Sequence, residues 1–305
     1  MFTTDAHCDT LYSIGVHGAK PETCAVNYER LQAGGVGIQT YALFAGPKGP
    51  AGTPYEDGIK MLDAADSLDT PILRGALPED APRTPFGVIS IEGGEMIRGS
   101  LDTLAEFDAR ARLRLIALTW NNENEIGHPA KNGPKGGLTP FGLALLREMD
   151  RRGIYADVSH LNEAGFWDIC DHASLPPVAS HSNCRWLCPV KRNLRKEQVR
   201  AIIEKAGFIG ANFYTNFLTR KKASAIEDVF RHIDAICEMG GEKAVGFGSD
   251  FDGIESWPEN LATPADLPNL IGHMRARGYS EETLADIAGL NYWRLLKRAE
   301  AARVL

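Results

Sequence analysis

The chain has 305 residues, 44% hydrophobic and 24% charged, with a formal net charge of −7. This composition suits a globular protein with room for a sizeable core, and no apolar run nears the ~18 residues that a membrane helix needs. Charges of both signs are interspersed and the densest basic run is Arg220-Lys221-Lys222, which excludes the concentrated basic face that nucleic acid requires.

The opening Met-Phe-Thr-Thr-Asp has neither a basic segment nor an apolar stretch, and the last residues carry no hydrophobic tail. The sequence therefore predicts a cytoplasmic protein with no membrane partner. A first strand is expected over 3–7, in FTTDAHCDTL. Residues two apart on a strand share a face, so His7 and Asp9 point one way and Cys8 the other, beneath a helix. A second strand, 37–44, leads into a Gly/Pro-rich stretch over 43–57 that reads as a loop over the mouth of the fold, followed by a helix over 57–68.

The third strand, 86–92, ends at Glu92 with Gly93-Gly94 behind it, and a helix is expected over 101–110. Strand four, 114–120, ends at Trp120 and is followed by Asn121. After a helix over 141–152, strand five (155–160) ends at His160; after a helix over 163–173, strand six (177–181) ends at His181. Helices over 196–205 and 225–239 flank strand seven, 208–214, and strand eight (244–250) ends at Asp250. Two helices, 265–277 and 281–302, complete the chain. The six cysteines (8, 24, 170, 184, 188 and 237) are scattered, which predicts reduced thiols rather than a disulfide framework.

Strands alternating with helices imply parallel pairing through right-handed crossovers. Eight such units predict a (β/α)8 barrel, a TIM barrel, built as a single domain over 1–305. An open doubly wound sheet is the alternative. Six strand ends carry chemically capable residues (His7 with Asp9, Glu92, Trp120, His160, His181 and Asp250), and barrel enzymes assemble their sites at that face.

His-x-Asp alone is weak grounds for a metal. Histidines 160 and 181, spaced by about one βα unit, strengthen it by falling at equivalent points of adjacent strands. A carboxylate at the end of an apolar strand is costly to bury unless cations face it, and the two oxygens of Glu92 suit a bridge between two metals. His17, His172, His232 and His273 are read as ordinary structural histidines. No G-x-S-x-G elbow, Walker loop or G-x-G-x-x-G fingerprint is present, and Cys184 and Cys188 have no partner pair.

Taken together, His7-x-Asp9, Ser90-Ile91-Glu92-Gly93-Gly94, Asp157-Val158-Ser159-His160, Ser180-His181-Ser182, Lys191-Arg192-Asn193 and Gly248-Ser249-Asp250-Phe251-Asp252-Gly253 resemble the membrane (renal) dipeptidase family, peptidase family M19 of the amidohydrolase superfamily. The resemblance implies a binuclear zinc centre: His7 and Asp9 on one Zn2+, His160 and His181 on the other, with Glu92 and a hydroxide bridging. It implies that Asp250 is the acid/base, that Arg192 holds the free carboxylate of a dipeptide (L-Xaa-L-Xaa or L-Xaa-D-Xaa), and that the protein is a homodimer. One departure stands out. Where the family commonly has Leu-Thr-His, this chain has Leu118-Thr119-Trp120. Trp120 keeps an indole N–H donor, and with Asn121 it is assigned to substrate binding. The loop of Phe217 also lacks a tyrosine common in relatives. Two other readings are a metal-dependent amidohydrolase acting on a cyclic or non-peptide amide, and a catalytically impaired metal-binding protein blocked by Trp120. Asp9 and Glu92 argue against the first, because the wider superfamily favours His-x-His and a carbamylated Lys.

Overall fold

Eight parallel strands, hydrogen-bonded in sequence order, form the wall of the barrel in the computed structural model, which describes residues 1–46, 53–133 and 135–304. They are β1 Thr3–Cys8, β2 Val36–Phe44, β3 Phe86–Glu92, β4 Leu115–Ala117, β5 Tyr155–Asp157, β6 Val178–Ala179, β7 Phe208–Ala211 and β8 Val245–Phe247. Register is continuous along β2 and β3, from Ile38↔Phe86 to Phe44↔Glu92. At the remaining seam the Asp250 N–H donates to the His7 carbonyl (3.2 Å) and the Asp9 N–H to that of Phe251 (2.9 Å). The expected (β/α)8 architecture is therefore present.

One buried cluster takes a side chain from each of the first seven strands: Ala6, Ile38, Val88, Leu115, Tyr155, Val178 and Phe208. Tyr292, Leu295 and Leu296 of the C-terminal helix pack against it, so the apolar face of that helix fills one end of the barrel. A larger core lies between the strands and the helices, where Ile89, Ile116, Ile209 and Val245 meet Leu104, Phe107, Phe166, Val199 and Val229. Cys8 belongs to this second core, as strand alternation predicts, and all six cysteines are free and buried.

Five strands stop short of their expected ends, β7 at Ala211 instead of 214 among them. Trp120, His160, His181 and Asp250 lie two or three residues beyond β4, β5, β6 and β8. His160 and Asp250 both have φ of 67°, a left-handed conformation that cannot continue a strand and that non-glycine residues adopt at a cost. Short strands leave backbone donors unpaired, and carboxylates take them up. Asp157 Oδ1 accepts from the N–H groups of Ser159 (2.9 Å) and Ser180 (3.0 Å). At the β1–β8 seam, Asp5 Oδ1 accepts from the Ser249 N–H (2.8 Å) and Asp5 Oδ2 from its hydroxyl (2.5 Å). The last helical region also differs from the expected continuous 281–302. Glu281–Ala285 and Asn291–Ala302 are joined by one π-helical turn, Asp286–Leu290.

Part of the loop expected over 43–57 lies outside the described residues, and its end is helical. Thr53 and Glu56 form a reciprocal capping box and Pro54 occupies the first turn, so the helix runs Pro54–Ala65 instead of starting at 57. No helix among the described residues is long and apolar enough to cross a membrane.

Glycine is required where β6, β7 and β8 approach. A Cβ on Gly248 would lie 1.8 Å from the Ser180 carbonyl oxygen, and one on Gly210 would lie 2.0 Å from it. Gly248→Ala is expected to lower stability by about 3 kcal/mol, the upper range for overpacking a closed core. Urea denaturation checks this, and an unchanged midpoint contradicts the close packing.

Candidate active site

Six titratable side chains converge at the C-terminal ends of the strands, all of them buried. Glu92, the last residue of β3, stands at the centre. Its Oε2 is 3.3 Å from His7 Nε2, and its Oε1 is 2.9 Å from His160 Nε2 and 3.4 Å from His181 Nε2. His7 Nε2 is also 3.5 Å from Asp9 Oδ2 and 3.9 Å from Asp250 Oδ1. The rings of His7 and His181 stack with centroids 3.8 Å apart, and the Nε2 atoms of His160 and His181 are separated by 3.1 Å. The strand-end alignment read from the 21-residue spacing thus brings both imidazoles to one carboxylate oxygen.

These residues suit metal ions. His7 Nε2 and Asp9 Oδ1 are buried without a hydrogen-bond partner, a costly arrangement for polar atoms with nothing to coordinate. Two overlapping groups, His7 with Glu92 and His181, and His7 with Asp9 and Asp250, have ligand atoms close enough to hold an ion. For His160, His181 and Glu92, protonation points the same way, because a ligand must offer a lone pair. Burial, with Arg192 nearby, lowers His160 to about 4, and burial, with His7 and Arg192 nearby, holds His181 well below its usual value. Burial opposes ionisation of Glu92, but His7 and the adjoining imidazoles of His160 and His181 outweigh it and hold Glu92 well below the ordinary carboxylate range. Burial lowers His7 and raises Asp9; the neighbouring Glu92 carboxylate leaves both well above their usual values.

Asp250 Oδ2 accepts from Asn212 Nδ2 at 2.8 Å, leaving Oδ1 toward His7. Burial and the Glu92 charge push its pKa up to about 6, against the pull of His7, Asn212 and Arg192. Arg192 donates from Nη1 to Ser182 Oγ (2.7 Å) and from Nη2 to the His181 carbonyl (2.9 Å). Its Nε is buried without an acceptor. Trp120 packs edge-on against Phe44 (5.0 Å between centroids) and lies 6.3 Å from the His160 ring. Asn121 follows on the same loop and, among the described residues, makes no hydrogen bond to these side chains.

Asp252 ties the loop. It accepts from the N–H groups of Ala25 (2.7 Å) and Val26 (3.2 Å) and from Thr10 Oγ1 (2.6 Å). His232 is a satisfied core histidine, its ring nitrogens paired with the Cys184 N–H and the Leu218 carbonyl, both at 3.0 Å. The sequence reading passed over Asn212, although it directly follows β7 and obeys the same strand-end rule. Gly253, which closes the last of the sequence motifs, leaves room at the site: a Cβ there would lie 2.0 Å from Asp9 Oδ2 and 2.7 Å from Asp250 Oδ1. Gly253→Ala is expected to displace both carboxylates, cutting kcat/KM by at least ~10-fold, since a shift of this size at a reacting centre costs up to ~100-fold. Steady-state kinetics with metal analysis on the same sample checks it, and wild-type values for both would contradict the crowding.

Imidazoles and carboxylates gathered at the C-terminal strand ends of a (β/α)8 barrel define a metal-dependent barrel enzyme. Residues 1–304 match the family model described as Membrane dipeptidase (Peptidase family M19), and the chain belongs to that family. An uncharacterized Klebsiella pneumoniae protein in the pqqA 5' region is 39% identical over 220 residues, 69% of this chain and 80% of its own. The dipeptidase aclJ of Aspergillus oryzae is 27% identical over 296 residues, 90% of this chain and 70% of its own. A metallo peptidase from Rhodobacter sphaeroides, solved with a phosphinate mimic of the dipeptide L-Ala-D-Ala, superimposes with a TM-score of 0.88 at 28% identity, covering 98% of this chain and 99% of that one. The protein is accordingly a metallopeptidase, a hydrolase acting on peptide bonds.

Proposed function

We infer that the protein is a zinc-dependent dipeptidase acting on L-Xaa-L-Xaa or L-Xaa-D-Xaa substrates. The observation that carries this reading is Glu92 lying between His7 on one oxygen and His160 with His181 on the other. His7 and Asp9 would hold one zinc ion and His160 and His181 a second, with Glu92 contributing an oxygen to each. Bound there, the ions supply the Lewis acidity that makes hydroxide available at neutral pH and polarises the scissile carbonyl.

The chain's own residues do the rest. Asp250, with one oxygen fixed by Asn212, takes a proton from the attacking water on Oδ1 and returns it to the departing amine; a carboxyl near 6 suits both transfers at neutral pH. Arg192 retains an unpaired Nε–H among its donors and holds the substrate's free carboxylate, the partner its planar fork fits. Trp120 walls the pocket beside His160, and with Asn121 it offers donors where relatives place an imidazole. By resemblance to its relatives the enzyme works as a homodimer.

A purified-enzyme assay tests this. Exhaustive chelation is expected to abolish dipeptide hydrolysis and added zinc to restore it. Amidating the substrate's C-terminus, which removes the partner of Arg192, is expected to lower kcat/KM by about 100-fold or more, in line with losing a charge-assisted pair. Equal turnover of acid and amide, or full activity after chelation, overturns the proposal.

A further inference from the structure

The two histidines that face Glu92 Oε1 are held in different ways. His160 Nδ1 is buried with no partner. His181 Nδ1 lies 2.7 Å from Ser180 Oγ, and Ser180 Oγ in turn bonds Asp157 Oδ2. All three side chains are buried. Asp157 cannot turn away, because its other oxygen accepts the N–H groups of Ser159 and Ser180 at 2.9 and 3.0 Å. The Ser180 O–H donates to Asp157 Oδ2. The serine oxygen must then accept from His181 Nδ1–H. With the proton fixed on Nδ1, the lone pair of His181 is on Nε2, the atom that faces Glu92 Oε1 and His160.

From this arrangement, and resting on the zinc reading above, we propose that Asp157 and Ser180 are positioning residues for the metal centre: a carboxylate–hydroxyl–imidazole relay that fixes the tautomer and ring orientation of His181. Partners of this kind raise the basicity of a ligating imidazole and restrict its rotation. His160 has no such partner and is constrained by its left-handed backbone instead. The relay also accounts for the close packing of Gly210 and Gly248 on the Ser180 carbonyl, which holds the serine in place from behind.

Zinc affinity, measured by competition against a chromophoric chelator, tests the relay without recourse to activity. Ser180→Ala is expected to weaken one of two zinc sites by 10- to 100-fold, the usual range for losing such a partner, and to leave the other within about 3-fold. Ser90→Ala is the control. Its hydroxyl is likewise buried near Glu92 but has no partner, and its affinities should equal the wild type's. A second measurement needs no relay variant: in zinc-loaded wild-type protein with 15N-labelled histidine, His181 should show a protected Nδ1–H. A His181 ring protonated on Nε2, or Ser180→Ala with wild-type affinity at both sites, overturns the relay while leaving the dipeptidase reading intact. A wild-type protein that takes up no zinc overturns both.

Discussion

Glu92→Gln is expected to bind at most one zinc ion and to lose at least ~1,000-fold in kcat/KM. The amide is nearly isosteric, so the barrel should fold, but it removes one anionic oxygen and puts an N–H2 group in its place. Either orientation fails. With nitrogen toward His160 and His181, the two imidazoles face a donor; with nitrogen toward His7, the set shared with Asp9 and Asp250 loses its bridging anion. The loss of charge matters as much as geometry, because a buried divalent pair held by neutral imidazoles depends on the surrounding carboxylates for compensation. Metal analysis alongside kinetics separates this outcome from a general defect. Two equivalents of zinc in Glu92→Gln at wild-type activity would remove Glu92 from the bridging role.

How legible this was in the sequence depended on the kind of signal. Period-two alternation separated His7 and Asp9 from Cys8, and the recurrence of strand ends aligned His160 with His181, because both are properties of regular backbone. The irregular backbone was hidden. His160 and Asp250 sit in left-handed conformations that no propensity rule assigns to them, and β6 has only two residues. These short strands persist because Asp157 and Asp5 use side-chain oxygens to bind backbone N–H groups of the neighbouring strand end. That contact spans 23 residues in one case and 244 in the other, and local pattern carries no trace of it. The start of the helix at Pro54 was legible in principle, since Thr53-Pro54-Tyr55-Glu56 is a capping-box sequence, but the surrounding Gly/Pro content masked it.

The same anchors explain how the barrel tolerates the site. His160, His181 and Asp250 lie beyond the ends of β5, β6 and β8, outside regular strand backbone. A side chain there can turn toward a common centre only if something else fixes it. Asp157 holds the β5 and β6 ends, Asp5 holds the β8 end through Ser249, and Gly253 leaves space for Asp9 and Asp250 to approach. Precision at the centre thus rests on polar groups one layer out, which is where sequence reading was weakest.

Asp250→Asn is expected to separate chemistry from metal binding. The amide can still accept from Asn212 through its oxygen, so the loop geometry fixed by that 2.8 Å bond is retained. What it lacks is the capacity to carry a proton. If Asp250 shuttles the proton from water to the leaving amine, kcat should fall by ~100- to 10,000-fold, the range for removing a positioned general acid/base, while zinc content stays near wild type and KM changes by no more than about 3-fold. A purely structural Asp250 would instead show parallel losses of zinc, stability and KM. A protein that binds metal without catalysis would show no change in rate at all, because the wild-type rate would already be at background. Single-turnover kinetics on the zinc-loaded variant, with metal analysis of the same sample, distinguishes the three. Full zinc occupancy with wild-type kcat in Asp250→Asn would require another residue to move the proton.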